Sequence, residues 1–441
     1  MSVRALPQHL TKVGGLVLLL CMLALLVAAG SKEANALLAD THLPYEPAQV
    51  IVKIDPTTGA TIGQINADYG TTTLDNTLGG MGIYLLRTPN KEDPITFAKR
   101  LTEDPLGTVD RVLYAEPNFL TETPESAEGD GRHRAYSISS ASESSDQYPD
   151  DLLAQNLDLS CAATQNYQGK GVIVAVLDTG AQLDHPALKA SFKNVQRYDF
   201  VDDDQDPSER WVGQDEDNDK DVDEMTGHGT HVSGTVVRVA PAAKIMPLRV
   251  LDTEGYGNVF TISRAIRYAW LNGAKVINLS LGSSEDSELL QEMIGNAIDK
   301  GIVVAAAAGN SGTTIPHYPA AGDGITPASA DGLVAVTSVG ENRQKSDFAN
   351  YGTWVDVAAP GQNIRSAFPI GKYANWSGTS MSTPFVSGQA ALIRNAYGSR
   401  IKPAGKQGIE AKIRDTARRE DLLYSGLLGV NHVDVCASLS K

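Results

Sequence analysis

Val172-Ile-Val-Ala-Val-Leu177, running directly into Asp178-Thr179-Gly180, is a stretch of six apolar residues with no polar position among them. A strand with one wet face alternates apolar and polar side chains; a run apolar at every position needs cover on both faces, as in a parallel sheet between helices. Comparable runs return at Ile245 to Leu251, Val276 to Ser280, Ile302 to Ala306 and Leu333 to Val336. Between them, Thr261 to Asn272 and Glu288 to Lys300 carry apolar residues at i, i+3 and i+4, the spacing of an amphipathic helix. The alternation predicts an α/β domain over 149–441: a mostly parallel sheet with helices on both faces.

In such sheets functional groups gather at the carboxyl ends of strands. Asp178 ends the first run. His228 stands in Thr226-Gly-His-Gly-Thr-His-Val-Ser-Gly234, flanked by glycines, with a helix expected just after it. Asn310 closes Ala305-Ala-Ala-Ala-Gly-Asn310, where a side-chain amide at the end of a rigid strand can donate to an oxyanion. Ser380 lies in Asn375-Trp-Ser-Gly-Thr-Ser-Met-Ser-Thr-Pro384, ahead of the apolar segment Val386 to Ala396. Pro384 is read in the first turn of a helix, which puts Ser380 at or just before its N-terminus. Each residue has a bland reading as a turn or cap. Together they supply what acyl transfer needs: a hydroxyl nucleophile, an imidazole titrating near neutrality, a carboxylate that fixes its tautomer, and a donor for the oxyanion. His228 and His231 could ligate a metal, but no Glu stands at the spacing of a zinc protease.

These four blocks, with Val355-Asp-Val-Ala-Ala-Pro-Gly361, resemble the subtilisin-like serine peptidases (subtilases), a likeness covering about residues 150–440. The resemblance implies a serine endopeptidase acting on protein and peptide substrates through an Asp178–His228–Ser380 triad, with Asn310 and the Ser380 N–H as oxyanion hole. It implies that substrates bind as an added strand beside Ser280, Leu281 and Gly282 on one side and Gly255 and Gly257 on the other. Ala307 and Gly309 would line the first side-chain pocket. His317, at a floor position often occupied by glycine, would favour acidic or polar side chains or shorten the pocket. Ser382, Phe385 and Ser387 depart from the alanines and histidine frequent in the family, at positions outside the triad. The stretch Val236 to Pro241 is too short for the calcium loop many relatives carry there.

Calcium is expected elsewhere. Residues 199–224 hold thirteen acidic side chains against Arg210 and Lys220. Asp215, Asp217, Asp219, Asp221 and Asp223 alternate as ligands of calcium loops do, although Lys220 stands where such loops prefer glycine and the closing bidentate Glu is missing. A solvated acidic loop is the alternative.

The first 36 residues carry Arg4 and Lys12 before an apolar run, Val13 to Gly30, and a small-residue site at Ala34-Asn35-Ala36. This is the pattern of a cleaved export signal, or of a retained membrane anchor at the cell surface. Residues 45–120 predict a β-α-β-β-α-β unit of ferredoxin-like type. Its end, Tyr114-Ala-Glu-Pro-Asn118, resembles the inhibitory propeptide of the family. The Thr-, Glu-, Ser- and Gly-rich residues 121–148 predict a mobile linker in which self-cleavage would release that unit.

The 441 residues carry a formal charge of -16, against a nucleic-acid binder, and 42% hydrophobic residues, enough for a real core. Three cysteines make no disulfide framework and no CxxC pair. With Cys21 inside the leader, export permits a Cys161–Cys436 disulfide; two small buried side chains are the other reading. The expected product is a secreted, monomeric peptidase made as a zymogen. An α/β-hydrolase would need the order Ser, Asp, His within Gly-x-Ser-x-Gly, which is absent. A catalytically silent, surface-binding pseudo-protease would have no need of all four polar residues.

Overall fold

The computed structural model describes residues 43–107, 110–126, 135–140, 142, 156–161, 167–213, 222–322, 331–418 and 430–440. The expected leader, 1–36, lies outside them. Everything below belongs to the compact unit Tyr45–Lys441.

The N-terminal part follows the expected order. Strand β1 (Tyr45–Ile54), helix α1 (Ile62–Tyr69), β2 (Thr72–Asp75), β3 (Ile83–Arg87), helix α2 (Pro94–Glu103) and β4 (Val112–Glu122) form an antiparallel sheet ordered β2-β3-β1-β4. Helix α1 is held by a reciprocal Thr61–Gln64 capping box, and α2 by Asp93 with Pro94 in its first turn. Phe97 and Leu101 of α2 pack fully buried on Val50 and Val52.

Strand β4 does not stop at residue 120. It runs on to Glu122 and pairs antiparallel with β9 (Tyr256–Asn258). Part of the predicted linker is therefore ordered, because its backbone finds a second sheet to pair with. Strand β5 (Tyr136–Ser139), also within 121–148, pairs with β15 (Lys372–Trp376), which forms a hairpin with β14 (Ile364–Phe368).

The large sheet has eight strands, all paired in parallel. Their order is β16 (Asn431–His432), β13 (Val357–Pro360), β12 (Leu333–Val339), β11 (Val303–Ala307), β10 (Val276–Leu279), β6 (Ile173–Asp178), β8 (Lys244–Arg249) and β7 (Tyr198–Asp199). One face is covered by α3 (His228–Val239) and α6 (Thr379–Tyr397), the other by α4 (Val259–Leu271) and α5 (Glu288–Asp299). This is the predicted architecture, and burial on both sides is why β6, β10 and β11 contain no alternation. Helix α6 is buried from Thr379 to Ile393, so it reads apolar and small all round rather than along one stripe.

The N-terminal sheet docks on α4 and α5. Ile51, Ile83 and Tyr114 join the core cluster built around those helices. Glu116 meets the N-terminus of α5, accepting from Ser287 Oγ at 2.7 Å, Glu288 N at 2.9 Å and Leu289 N at 3.0 Å. A carboxylate there satisfies free N–H groups and the positive end of the helix dipole. Burial nevertheless pushes its carboxyl up to about 7, with those donors opposing. Lys53 pairs with Glu292, and the Phe260 N–H donates to Asn118 Oδ1.

Cys161 and Cys436 form a disulfide, with Cα atoms 5.5 Å apart. It ties the two ends of the α/β domain across 275 residues. Among the described residues no helix is long and apolar enough to cross a membrane.

Candidate active site

Four chain segments meet at the carboxyl edge of the parallel sheet. Asp178 is the last residue of β6, and its Oδ1 accepts the Thr179 N–H at 2.8 Å. His228 opens α3 directly after Gly227, and its Nδ1 lies 2.7 Å from Asp178 Oδ1. A carboxylate only accepts, so Nδ1 carries the proton of this pair. The approach depends on Gly229: a Cβ there would stand 2.1 Å from the Gly180 carbonyl oxygen. Trp376 of β15 packs its ring edge-to-face on His228, 5.2 Å between centroids.

Asn310 lies three residues past β11. Its Oδ1 accepts both the Thr379 N–H and the Thr379 hydroxyl at 2.9 Å. A backbone N–H is an obligate donor, so the amide nitrogen of Asn310 must face the other way, into the site. Ser380 is not the helix cap its sequence context favours. The cap is Gly378, α6 begins at Thr379, and Pro384 sits inside the helix rather than in its first turn. Having no N–H, Pro384 leaves the Ser380 carbonyl without its i+4 partner, and Ser280 Oγ supplies a hydrogen bond at 3.0 Å instead. Asn278 and Ser387 continue that network, with Asn278 donating to Ser280 Oγ at 2.9 Å and Ser387 Oγ to Asn278 Oδ1 at 2.8 Å.

A fifth residue, invisible to the sequence reading, completes the site. The end of β4 and the residues after it run between the two segments expected to flank a substrate. Thr121 pairs with Gly257, Glu122 exchanges two 2.9 Å hydrogen bonds with Gly282, and the Thr123 N–H donates to the Gly255 carbonyl at 3.0 Å. Glu125 then projects its carboxylate into the centre. Its Oε2 accepts Ser380 Oγ at 2.5 Å and lies 3.2 Å from His228 Nε2. Its Oε1 accepts Asn310 Nδ2 at 2.9 Å and the Ser380 N–H at 3.4 Å. Asp178, His228 and Ser380 are fully buried beneath this segment. Burial would lower the His228 pKa; Asp178 and Glu125 override it and push it up to about 10. Burial likewise opposes ionisation of Glu125, and His228, Ser380 and Asn310 hold the carboxyl below its ordinary value. Nothing local distinguishes Glu125 from Glu122 or Glu128 in the sequence.

The remaining expected residues divide. Gly282 pairs with the inserted strand, Ser280 turns its carbonyl to Ser380 Oγ at 3.3 Å, and Leu281 between them is buried in the core. Ala307 is fully buried at the end of β11, and Gly309 takes φ +95°, its N–H donating to Thr379 Oγ1 at 3.1 Å. His317 lies between the two glycines: a Cβ on Gly282 would stand 2.4 Å from His317 Nε2, and one on Gly309 3.0 Å from its Cγ. His317 Nε2 is buried with no hydrogen-bond partner among the described residues, and burial lowers the ring's pKa to about 4. Of the calcium candidates, Asp215, Asp217, Asp219 and Asp221 lie outside the described residues. Asp223 turns both oxygens to backbone, accepting Val212 N–H at 2.9 Å and Gly213 N–H at 2.7 Å. Among the described residues no three His, Cys, Asp or Glu side chains cluster as a metal site.

Residues 169–433 match the subtilase family, more than half of the chain. The chain belongs to the subtilase family. Residues 31–118 match the fervidolysin N-terminal prodomain, so this subtilase carries a prodomain ahead of its peptidase domain. It is 40% identical to thermitase of Thermoactinomyces vulgaris over 260 residues, 57% of this chain and 82% of that one. It is 36% identical to a thermophilic serine proteinase of Bacillus sp. strain AK1 over 308 residues, 67% of this chain and 65% of that one. The structure of fervidolysin from Fervidobacterium pennivorans superposes with a TM-score of 0.68 at 22% identity, covering 90% of this subtilase and 61% of fervidolysin, a likeness of fold. With these relatives the subtilase is a serine endopeptidase.

Proposed function

We propose that the chain is an exported endopeptidase, made as a zymogen, that cleaves peptide bonds through an acyl-enzyme on Ser380. His228 Nε2 takes the Ser380 Oγ proton as the oxygen attacks the substrate carbonyl carbon. Asp178 holds the imidazole in the Nδ1–H tautomer and stabilises its cation. Asn310 Nδ2 and the Ser380 N–H receive the oxyanion. The imidazolium then gives its proton to the leaving amine, and water, deprotonated by His228, releases the acyl group and restores the serine.

The observation that carries this reading is the Glu125 carboxylate. Four donors from three positions in the chain, His228, Asn310 and Ser380, converge on its two oxygens. One oxygen has the surroundings of an oxyanion, the other those of the attacking and leaving group. An arrangement that serves only to close a turn would not aim these groups at one point. The chain that delivers Glu125 follows the path expected of a substrate, which supports the prodomain tail as an occupant of the cleft. The leader pattern and the Cys161–Cys436 disulfide both favour an oxidising, extracytoplasmic setting.

A fluorophosphonate probe tests the chemistry directly. Once the prodomain segment is removed, the probe labels Ser380 stoichiometrically, located by peptide mass analysis; absence of label on a folded, processed chain would overturn the reading.

His317 is proposed to set the first side-chain pocket. A neutral imidazole with a buried, unpaired nitrogen favours a side chain that can hydrogen-bond to it, such as glutamine or glutamate, over a large apolar one. A peptide-library profile should show polar residues before the cut, with His317→Gly shifting preference to large apolar residues by about ten-fold. Apolar dominance in the parent enzyme would refute the assignment.

A further inference from the structure

Glu209 has no part in the chemistry above and lies in the acidic stretch 199–224, yet it touches both loops that carry the Asp–His pair. Its Oε2 accepts the Gly227 N–H at 3.0 Å and its Oε1 the Thr230 N–H at 3.1 Å. These donors belong to the N-terminus of α3, whose cap, Gly227, has no side chain to satisfy them. The Thr230 hydroxyl stands 3.3 Å from Oε1, and the Thr179 hydroxyl lies 3.2 Å from Oε1 and 3.4 Å from Oε2. Thr179 directly follows Asp178, and its Oγ1 accepts the Gly229 N–H at 3.0 Å.

A hydroxyl has one proton. Thr179 Oγ1 can give it to Glu209 or to Asp178 Oδ1, 3.4 Å away, while a lone pair accepts the Gly229 N–H. Glu209 thereby joins residue 179 on one side to residues 227 and 230 on the other, bracketing Asp178 and His228. The backbone leaves no slack here. Ala181 N donates to Pro207 O at 2.9 Å and Glu209 N to Ala181 O at 3.3 Å, and a Cβ on Gly180 would stand 2.7 Å from Pro207 O.

We propose that Glu209 is a positioning residue for the peptidase reaction: its carboxylate clamps the N-terminus of α3 to the loop after β6 and so fixes the Asp178–His228 bond. The proposal rests on the reading of Asp178, His228 and Ser380 as a triad. Only an ionised carboxylate serves, because every group facing it donates. Burial raises the Glu209 carboxyl, the Gly227 N–H opposes this, and the Asp178 charge raises it further. Glutamine would turn an amide NH₂ against N–H donors, while aspartate keeps the charge on a shorter arm.

The test compares Glu209→Gln and Glu209→Asp in the processed enzyme on a soluble peptide substrate. We expect Glu209→Gln to lower kcat by about ten- to a hundred-fold with KM within about two-fold, since misplacement of a catalytic group by a fraction of an ångström acts on the transition state rather than on strand binding. Glu209→Asp should recover part of the loss. The acid limb of kcat/KM should move to lower pH in Glu209→Gln, because a negative charge that favours the imidazolium has been removed. A kcat within two-fold of the parent, or KM rising as much as kcat falls, would overturn the proposal. Should Glu209→Gln fail to mature, the low-field proton of the His228–Asp178 bond can be followed by NMR in the full-length Ser380→Ala chain, which needs no processing. Faster exchange with Glu209→Gln supports the clamp, and an unchanged resonance refutes it. If Ser380→Ala itself kept activity, the triad reading would fail first, and the two failures are thus distinct.

Discussion

The Ser380→Ala chain loses peptidase activity by about a million-fold, a factor measured on a subtilisin, and accumulates outside the cell as a precursor still carrying its prodomain. Without Oγ there is no acyl-enzyme, and His228 has no nucleophile to deprotonate. What survives is the weak catalysis of the oxyanion hole and of binding alone. The substitution leaves the Asn310–Thr379 hydrogen bonds and the start of α6 intact, so the fold should be unchanged. Precursor size on a denaturing gel, with secondary structure checked by circular dichroism, reads the result. A Ser380→Ala chain trimmed to the parent's mature length would show that a separate protease performs the cut. Activity within a hundred-fold of the parent would remove Ser380 from the chemistry altogether.

Replacing Glu125 by glutamine has the opposite sign: in the unprocessed chain it should speed fluorophosphonate labelling of Ser380 by about a hundred-fold. Charge-assisted hydrogen bonds are worth about 1.5–3 kcal/mol each, and four that share one carboxylate do not add. A net loss of about 3 kcal/mol corresponds to roughly a hundred-fold in occupancy of the open site. Protonation acts in the same direction. While Glu125 is in place His228 holds its proton up to about 10 and is no base at neutral pH. Labelling of the parent precursor should therefore climb as pH rises from 7 toward 10. In Glu125→Gln one cause of the raised pKa is gone, so the climb comes at lower pH. The measurement is the labelling rate against pH on precursors carried through a short reaction, before processing. Equal rates for both chains at pH 8 would mean that Glu125 does not close the site.

Both results turn on a boundary that composition hid. Residues 121–126 read as part of a linker because they contain no large apolar run, yet they are held by backbone pairing with Gly255, Gly257 and Gly282. Pairing of that kind is indifferent to side chains and leaves no hydrophobic pattern. Glu209 was concealed in a similar way: amid twelve other acidic residues, nothing but its place in space sets it apart.

The sequence by itself determined the class of sheet, since strands buried on both faces must be apolar at successive positions, and the candidate chemistry, since glycine-flanked Asp178, His228, Asn310 and Ser380 stand in an order that few other architectures use. It also determined the order of elements in residues 45–120, through alternating strand and helical periods. Tertiary structure decided what local pattern cannot encode. It set the start of α6 at Thr379 rather than nearer Pro384, because Ser280 satisfies the carbonyl that the proline leaves free. It turned the Asn310 amide toward the site through Thr379. It brought Glu125 onto His228 and Glu209 onto the Thr230 N–H beside it, contacts that join residues 103 and 21 positions apart in the chain. Periodicity records which face of a segment is buried; it holds no record of which distant donor waits there.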